Sequence, residues 1–92
     1  MKLEYVYDKK LLSLKEAANE NDIEFSIKLL EPELKNRLQK VREYFDDNDV
    51  LTDLLYYIHP QNKYQVIVKK DFYNEFIIQL FRFQLIQAIR WS

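Results

Sequence analysis

Glycine and cysteine are both absent from the 92 residues, which include two prolines and a single histidine, His59. Loops that bring backbone up against a phosphate need glycine, so neither a GxxxxGK[ST] loop nor a GxGxxG turn can exist here. A GxSxG nucleophile elbow is impossible for the same reason. A serine triad would have to be assembled from Ser13, Ser26 or Ser92 around His59, and nothing in their spacing suggests one. A zinc site needs three or four Cys or His ligands, or a His pair with a carboxylate, and this chain cannot supply either set. The acidic run Asp46, Asp47, Asp49 and Asp53 lacks the glycine and the distal glutamate of a calcium loop and reads as a helix end followed by a solvated turn. No catalytic, cofactor-binding or metal residue is therefore assigned, and the chain is not expected to be an enzyme.

The lack of glycine also has a conformational consequence. Backbone positions with positive φ must fall to other residues, of which Asn and Asp are the most tolerant. Asn21, Asn48 and Asn62 stand at breaks in the pattern where such positions are expected.

Charge of one sign is lacking as well. Fourteen basic and fifteen acidic residues leave a net charge of -1, so the molecule as a whole has no built-in attraction to phosphate backbones or anionic lipid. A cysteine-free chain suits a reducing compartment. Glu4 and Asp8 interrupt the first eight residues before an apolar run can form, so no export signal is read there, and a cytoplasmic location is expected. The most apolar stretch, Phe72 to Trp91, contains Glu75 and Arg82, which argues against a membrane span. Frequent Lys, Ile, Asn, Tyr and Phe, with no Gly and little Ala, are the bias expected of an AT-rich genome and point to a small bacterial or phage protein.

What the chain does have is apolar and aromatic content, 48% and 15%, enough for one cooperative core, and 92 residues leave room for one globular domain, 1–92. Leu3, Tyr5 and Tyr7 alternate with Lys2, Glu4 and Val6, which predicts a strand near 2–7. Ser13-Leu14-Lys15-Glu16 has the form of a capping box and predicts a helix near 14–20. Ile23 to Leu29 alternates without a fault and predicts a strand over 23–29. Pro32 followed by Leu34, Leu38, Val41 and Phe45 predicts a helix over 32–45. Segment 50–59 fits both periods. If 54–59 is a strand, Pro60 to Lys63 is the hairpin loop into a strand at 64–70, rich in β-branched residues. Asp71 is placed to cap a long helix near 71–91. The fold expected is α+β, a three- or four-stranded mixed or antiparallel sheet packed by helices.

On a helix running to Trp91, apolar side chains cover most of the circumference. One stripe is Phe72, Phe76, Leu80, Phe83 and Trp91; the other is Ile78, Phe81, Leu85 and Ile89, with Glu75, Gln79 and Arg82 on a narrow polar side. Two stripes need two covers, so Ile78, Phe81, Phe83, Leu85, Ile89 and Trp91 are the interface candidates of a protein-binding or regulatory module that pairs with itself, as a homodimer, or with another protein. His59 with Tyr57, Asn62 and Tyr64 is the polar cluster best suited to a small site, and an enzymatic role would need an acid beside that ring in a pocket. The alternative is a weak nucleic-acid-associated regulator using Lys35, Arg37, Lys40 and Arg42 on helix 32–45. Glu33 and Glu43 interrupt that face, and the overall charge argues against nucleic acid as the main partner.

Overall fold

The computed structural model describes residues 3–47 and 54–91. It is α+β, with strands β1 (Leu3–Val6), β2 (Leu12–Ala18), β3 (Asp22–Leu29), β4 (Leu55–His59), β5 (Lys63–Lys69) and β6 (Ala88–Trp91), and helices α1 (Leu34–Asp46) and α2 (Tyr73–Arg82). Four strands form an antiparallel sheet in the order β2-β3-β5-β4, while β1 and β6 make a separate antiparallel ribbon.

Period-two alternation along the central strands decides which face is buried. Phe25, Ile27 and Leu29 of β3 and Tyr64, Val66 and Val68 of β5 point to one side, opposed in register as Phe25↔Val66 and Ile27↔Tyr64. Leu12 and Leu14 of β2 join them. Onto this face α1 lays Leu34, Leu38, Val41 and Phe45, and α2 lays Phe76, Ile77 and Leu80. Full burial of a side chain of this size contributes about 1.5–3 kcal/mol. The opposite face of the sheet carries only exposed or half-buried residues, and among the described residues neither helix reaches it.

Two elements depart from the pattern-based expectation. Residues 12–18 are a strand, not a helix near 14–20. β2 pairs with β3 from Leu12↔Leu29 to Ala18↔Ile23, and Asn19 N–H closes the hairpin on the Asp22 carbonyl at 2.9 Å. A helix over 14–20 would have one leucine, Leu14, and bury little, whereas the strand covers an edge of β3 and places Leu12 and Leu14 in the core. Ser13 and Glu16 therefore fall on opposite faces of β2, which dissolves the capping box.

The predicted helix 71–91 is the second correction. After a short 3₁₀ turn at Lys70–Phe72, α2 stops at Arg82. Gln84 N–H bonds the Phe81 carbonyl at 3.0 Å and Leu85 N–H the Leu80 carbonyl at 2.8 Å, the paired bonds of a Schellman motif, with Gln84 in the left-handed region at φ 62°. Leu80 and Leu85, which flank the stop, are both buried, so the chain gains core by leaving the helix. Gln87 N–H then bonds the Val6 carbonyl at 2.7 Å, and β6 runs back along β1 with Tyr5 opposite Ile89. Segment 55–59 is a strand; Asn48 lies outside the described residues, as do 50–53. Of the asparagines expected at positive φ, Asn62 adopts it at 59°, together with Gln61, whereas Asn21 does not.

Gln84 holds a conformation that costs a residue with a Cβ about 1–2 kcal/mol. Gln84→Gly is expected to raise unfolding stability by about 1 kcal/mol, read as a higher urea midpoint at unchanged m-value. A fall in stability would show that the Gln84 side chain contributes more than its backbone strain removes.

Candidate functional site

The interface candidates are scattered by the turn that ends α2. Leu85 is core, and Phe83 and Ile89 are half-buried against it. Ile78 and Phe81 stay exposed together on the outer side of α2, at 39% and 45%, and Trp91 is exposed on β6. Gln79, assigned to a polar side, is buried: its Nε2 donates to Glu75 Oε1 at 3.1 Å, which also accepts the Tyr44 hydroxyl at 2.7 Å. Two members of the basic face of α1 are engaged within the chain. Arg37 donates to the Gln84 carbonyl at 3.1 Å, and Arg42 lies 4.7 Å from the centroid of the Tyr56 ring and 3.6 Å from Asp46.

The polar candidates divide between the two faces of the sheet. Tyr64 turns into the core, its ring 5.8 Å from that of Tyr56. His59 and Tyr57 project from the open face, and Asn62 lies in the loop between β4 and β5. The hairpin register carries this split, since side chains two apart share a face and neighbours do not.

The open face is organised in rows across all four strands. Ser13, Lys28, Lys63 and His59 are directly opposed in one row; Lys15, Ser26, Gln65 and Tyr57 form the next. Neither row contains a carboxylate. The third row, Ala17, Glu24, Ile67 and Leu55, brings the first acid. The first two rows border a shallow depression of about 440 Å³ lined by Ser13, Lys15, Lys28, His59, Lys63 and Gln65, with Ser26, Ile27 and Tyr64 completing the wall. Pattern reasoning did not anticipate this cluster: Lys15, Lys28 and Lys63 are far apart in sequence, and only the strand order β2-β3-β5 assembles them.

Gln65 links the rows. Its Nε2 donates to Glu24 Oε1, and a carboxylate can only accept, which fixes the amide orientation. Gln65 Oε1, 3.2 Å from His59 Nε2, must then be the acceptor, so His59 carries its proton on Nε2 and presents Nδ1 to solvent. His59 has no direct carboxylate partner among these bonds; Glu24 reaches it through Gln65.

A second concave region, about 580 Å³, lies between the ribbon and the sheet and is lined by Leu3, Tyr5, Val6, Glu16, Tyr73 and Arg90, among others. Glu16, on the helix side of β2, accepts hydrogen bonds from both Tyr5 and Tyr73, the latter at 2.9 Å. Burial raises the pKa of both phenols above the ordinary tyrosine range, and the Glu16 hydrogen bonds and charge raise it further. Tyr56, held by burial and by Tyr64 against the opposing pull of Arg42, is pushed up to about 12. At the mouth of the groove Arg90 pairs with Glu4 at 2.7 Å in an exposed contact worth little in stability.

Among the described residues no group of three or more His, Cys, Asp or Glu is placed to hold a metal ion, and no described helix is long and apolar enough to cross a membrane. Protein-family models, curated proteins and solved structures were all compared with the chain, and none matches.

Two outcomes follow from these bonds. Long-range ¹⁵N–¹H spectra of His59 are expected to show the Nε2–H tautomer in the wild type and a tautomer mixture in Gln65→Leu; an Nδ1–H form in the wild type would refute the Gln65 bond. In alkaline titration followed at the phenolate absorbance, Tyr5, Tyr56 and Tyr73 should stay protonated well past the ordinary midpoint of about 10. Because folding raises these values, the associated stability is whole below about pH 10 and drains away as pH climbs through the raised ones. Glu16→Gln should lower the Tyr5 and Tyr73 midpoints and leave Tyr56 in place.

Proposed function

We propose that the protein is a non-catalytic interaction module that self-associates by pairing the outer edge of β4 with β4 of a second copy. One observation carries this. β4 is a five-residue strand, Leu-Tyr-Tyr-Ile-His, at the end of the sheet, with no partner on its outer edge among the described residues. Leu55, Tyr57 and Ile58 on it are exposed at 50%, 46% and 63%. Edge strands are ordinarily blunted by lysine, proline or a bulge, and this one has no acid, lysine, arginine or proline within it. Its unpaired backbone groups and apolar side chains are together what strand addition uses.

The strand's own sequence favours a second copy as occupant. An antiparallel pair centred on Tyr57 sets Leu55 against the partner's His59 and Tyr56 against the partner's Ile58, so no like charges meet and each aliphatic side chain faces an aromatic or imidazole ring. That pairing is isologous and closes as a two-fold dimer. α2 offers a smaller surface: Ile78 and Phe81 alone, without a free backbone edge. The cysteine-free composition supports a cytoplasmic site of action.

Sedimentation of the full chain at tens of micromolar is expected to give a dimer. Leu55→Lys with Ile58→Lys should raise the dissociation constant at least tenfold, about 1.4 kcal/mol, at unchanged helical and strand content by circular dichroism. Phe81→Glu should leave the dimer intact. A monomeric wild type removes the proposal, and a dimer broken by Phe81→Glu but not by the β4 changes moves the seam to α2.

A further inference from the structure

We propose that the open face of the sheet binds a phosphate-bearing ligand over its first two rows, held by Lys15, Lys28 and Lys63 with Ser13 and Ser26 as hydrogen-bond donors. The first reason is an imbalance. Lys28 stands directly opposite Lys63, which stands directly opposite His59, and Lys15 lies diagonally from Lys28 on the neighbouring strand. Like charges opposed across strands destabilise a sheet. Among the described residues none of the three lysines has an ion-pair partner. Glu24, the nearer acid of this face, lies two rows from Lys28 and Lys63 but only one from Lys15, as diagonal to it as Lys28 is, and Glu24 is hydrogen-bonded to Gln65. Packing requires only polar residues at these positions, so stability alone gives no reason for Lys28 and Lys63 to stand directly opposed with Lys15 on the next row.

The second reason is shape and donor chemistry. The cations do not sit on a convex turn: they border the shallow depression of about 440 Å³, large enough for a compact anion. Its lining offers the hydroxyls of Ser13 and Ser26 as donors. Hydroxyls and ammonium groups meet an anion as separate point donors spread over adjacent strands, roughly 5 Å apart. That array suits an anion whose oxygens point in several directions and carry more than one charge. Arginine, whose planar fork matches a flat carboxylate, is missing from these rows. The chemistry recognised is phosphate, borne by a small polyphosphate compound or by the backbone of a single nucleic-acid strand.

Self-association through the β4 edge leaves this face open, so the two proposals stand or fall separately. ¹⁵N-labelled full-length protein is titrated with inorganic tripolyphosphate. Saturable shifts are expected at the amides of Ser13, Lys15, Lys28, His59 and Lys63, and Lys28→Gln with Lys63→Gln should weaken binding at least tenfold without lowering the melting temperature. Lys35→Gln with Lys40→Gln, on the far side of the molecule, should change affinity less than twofold. Citrate, a carboxylate anion of similar charge, should bind at least tenfold more weakly. A thymidine oligonucleotide identifies the source: affinity that grows with its length marks a strand backbone, and affinity no better than that of tripolyphosphate marks a small compound. Shifts that never saturate, equal loss in the α1 control, or equal binding of citrate would overturn the proposal.

Discussion

The pairing of β3 with β5 fixes nearly everything else. Phe25 and Val66, opposed at the centre of the sheet, are wholly buried, with Ile23↔Val68 and Ile27↔Tyr64 on either side. A slip of one residue would carry Ser26, Lys28 and Gln65 under the helices and Phe25 into water. Each lysine buried without a partner would cost several kcal/mol, so that register has no competitor. Both helices then find one face to cover, and what remains on the other face is decided without any choice of its own. Lys28 meets Lys63 because Phe25 meets Val66.

Much of this was legible in the chain. The alternation of 23–29 and 64–70 and the spacing of Leu34, Leu38, Val41 and Phe45 each place an element within a residue or two of where it lies. Those segments have one period each. Residues 12–18 have two competing signals, a local capping pattern and the Leu12–Leu14 alternation, and the long-range one won because β3 supplies a partner that sequence spacing does not display. The same blindness hid the candidate site. His59 was identifiable as the only imidazole, but Lys15, Lys28 and Lys63 become neighbours only when three strands are ordered side by side.

The C-terminal segment failed for a different reason. Helix ends are usually announced by glycine at the left-handed position, and this chain has none to announce with. Gln84 takes the position silently, as Gln61 does beside Asn62 in the β4–β5 loop. Reading through Gln84 extended a ten-residue helix to the end of the chain and turned Leu85 and Ile89 into a second stripe, when Leu85 is core and Ile89 is half of a cross-strand pair with Tyr5. The apolar excess was real in part: Ile78 and Phe81 do face outward. Its larger exposed share lies instead on β4, a segment whose period was ambiguous.

The symmetry of the proposed β4 pairing decides what would stand beside the open face. Two copies joined antiparallel about an axis perpendicular to the sheet keep open face beside open face and helices beside helices. Parallel joining about an axis along the strands would set the helices of one copy beside the open face of the other and crowd its depression. In the antiparallel arrangement each row Ser13, Lys28, Lys63, His59 ends against the partner's Leu55, so no cation is added to a row that already holds adjacent ones. The two depressions fall on the same surface at opposite ends of the strands, separated by the Tyr57 pair. Of the two symmetries, the antiparallel one proposed leaves both depressions uncrowded.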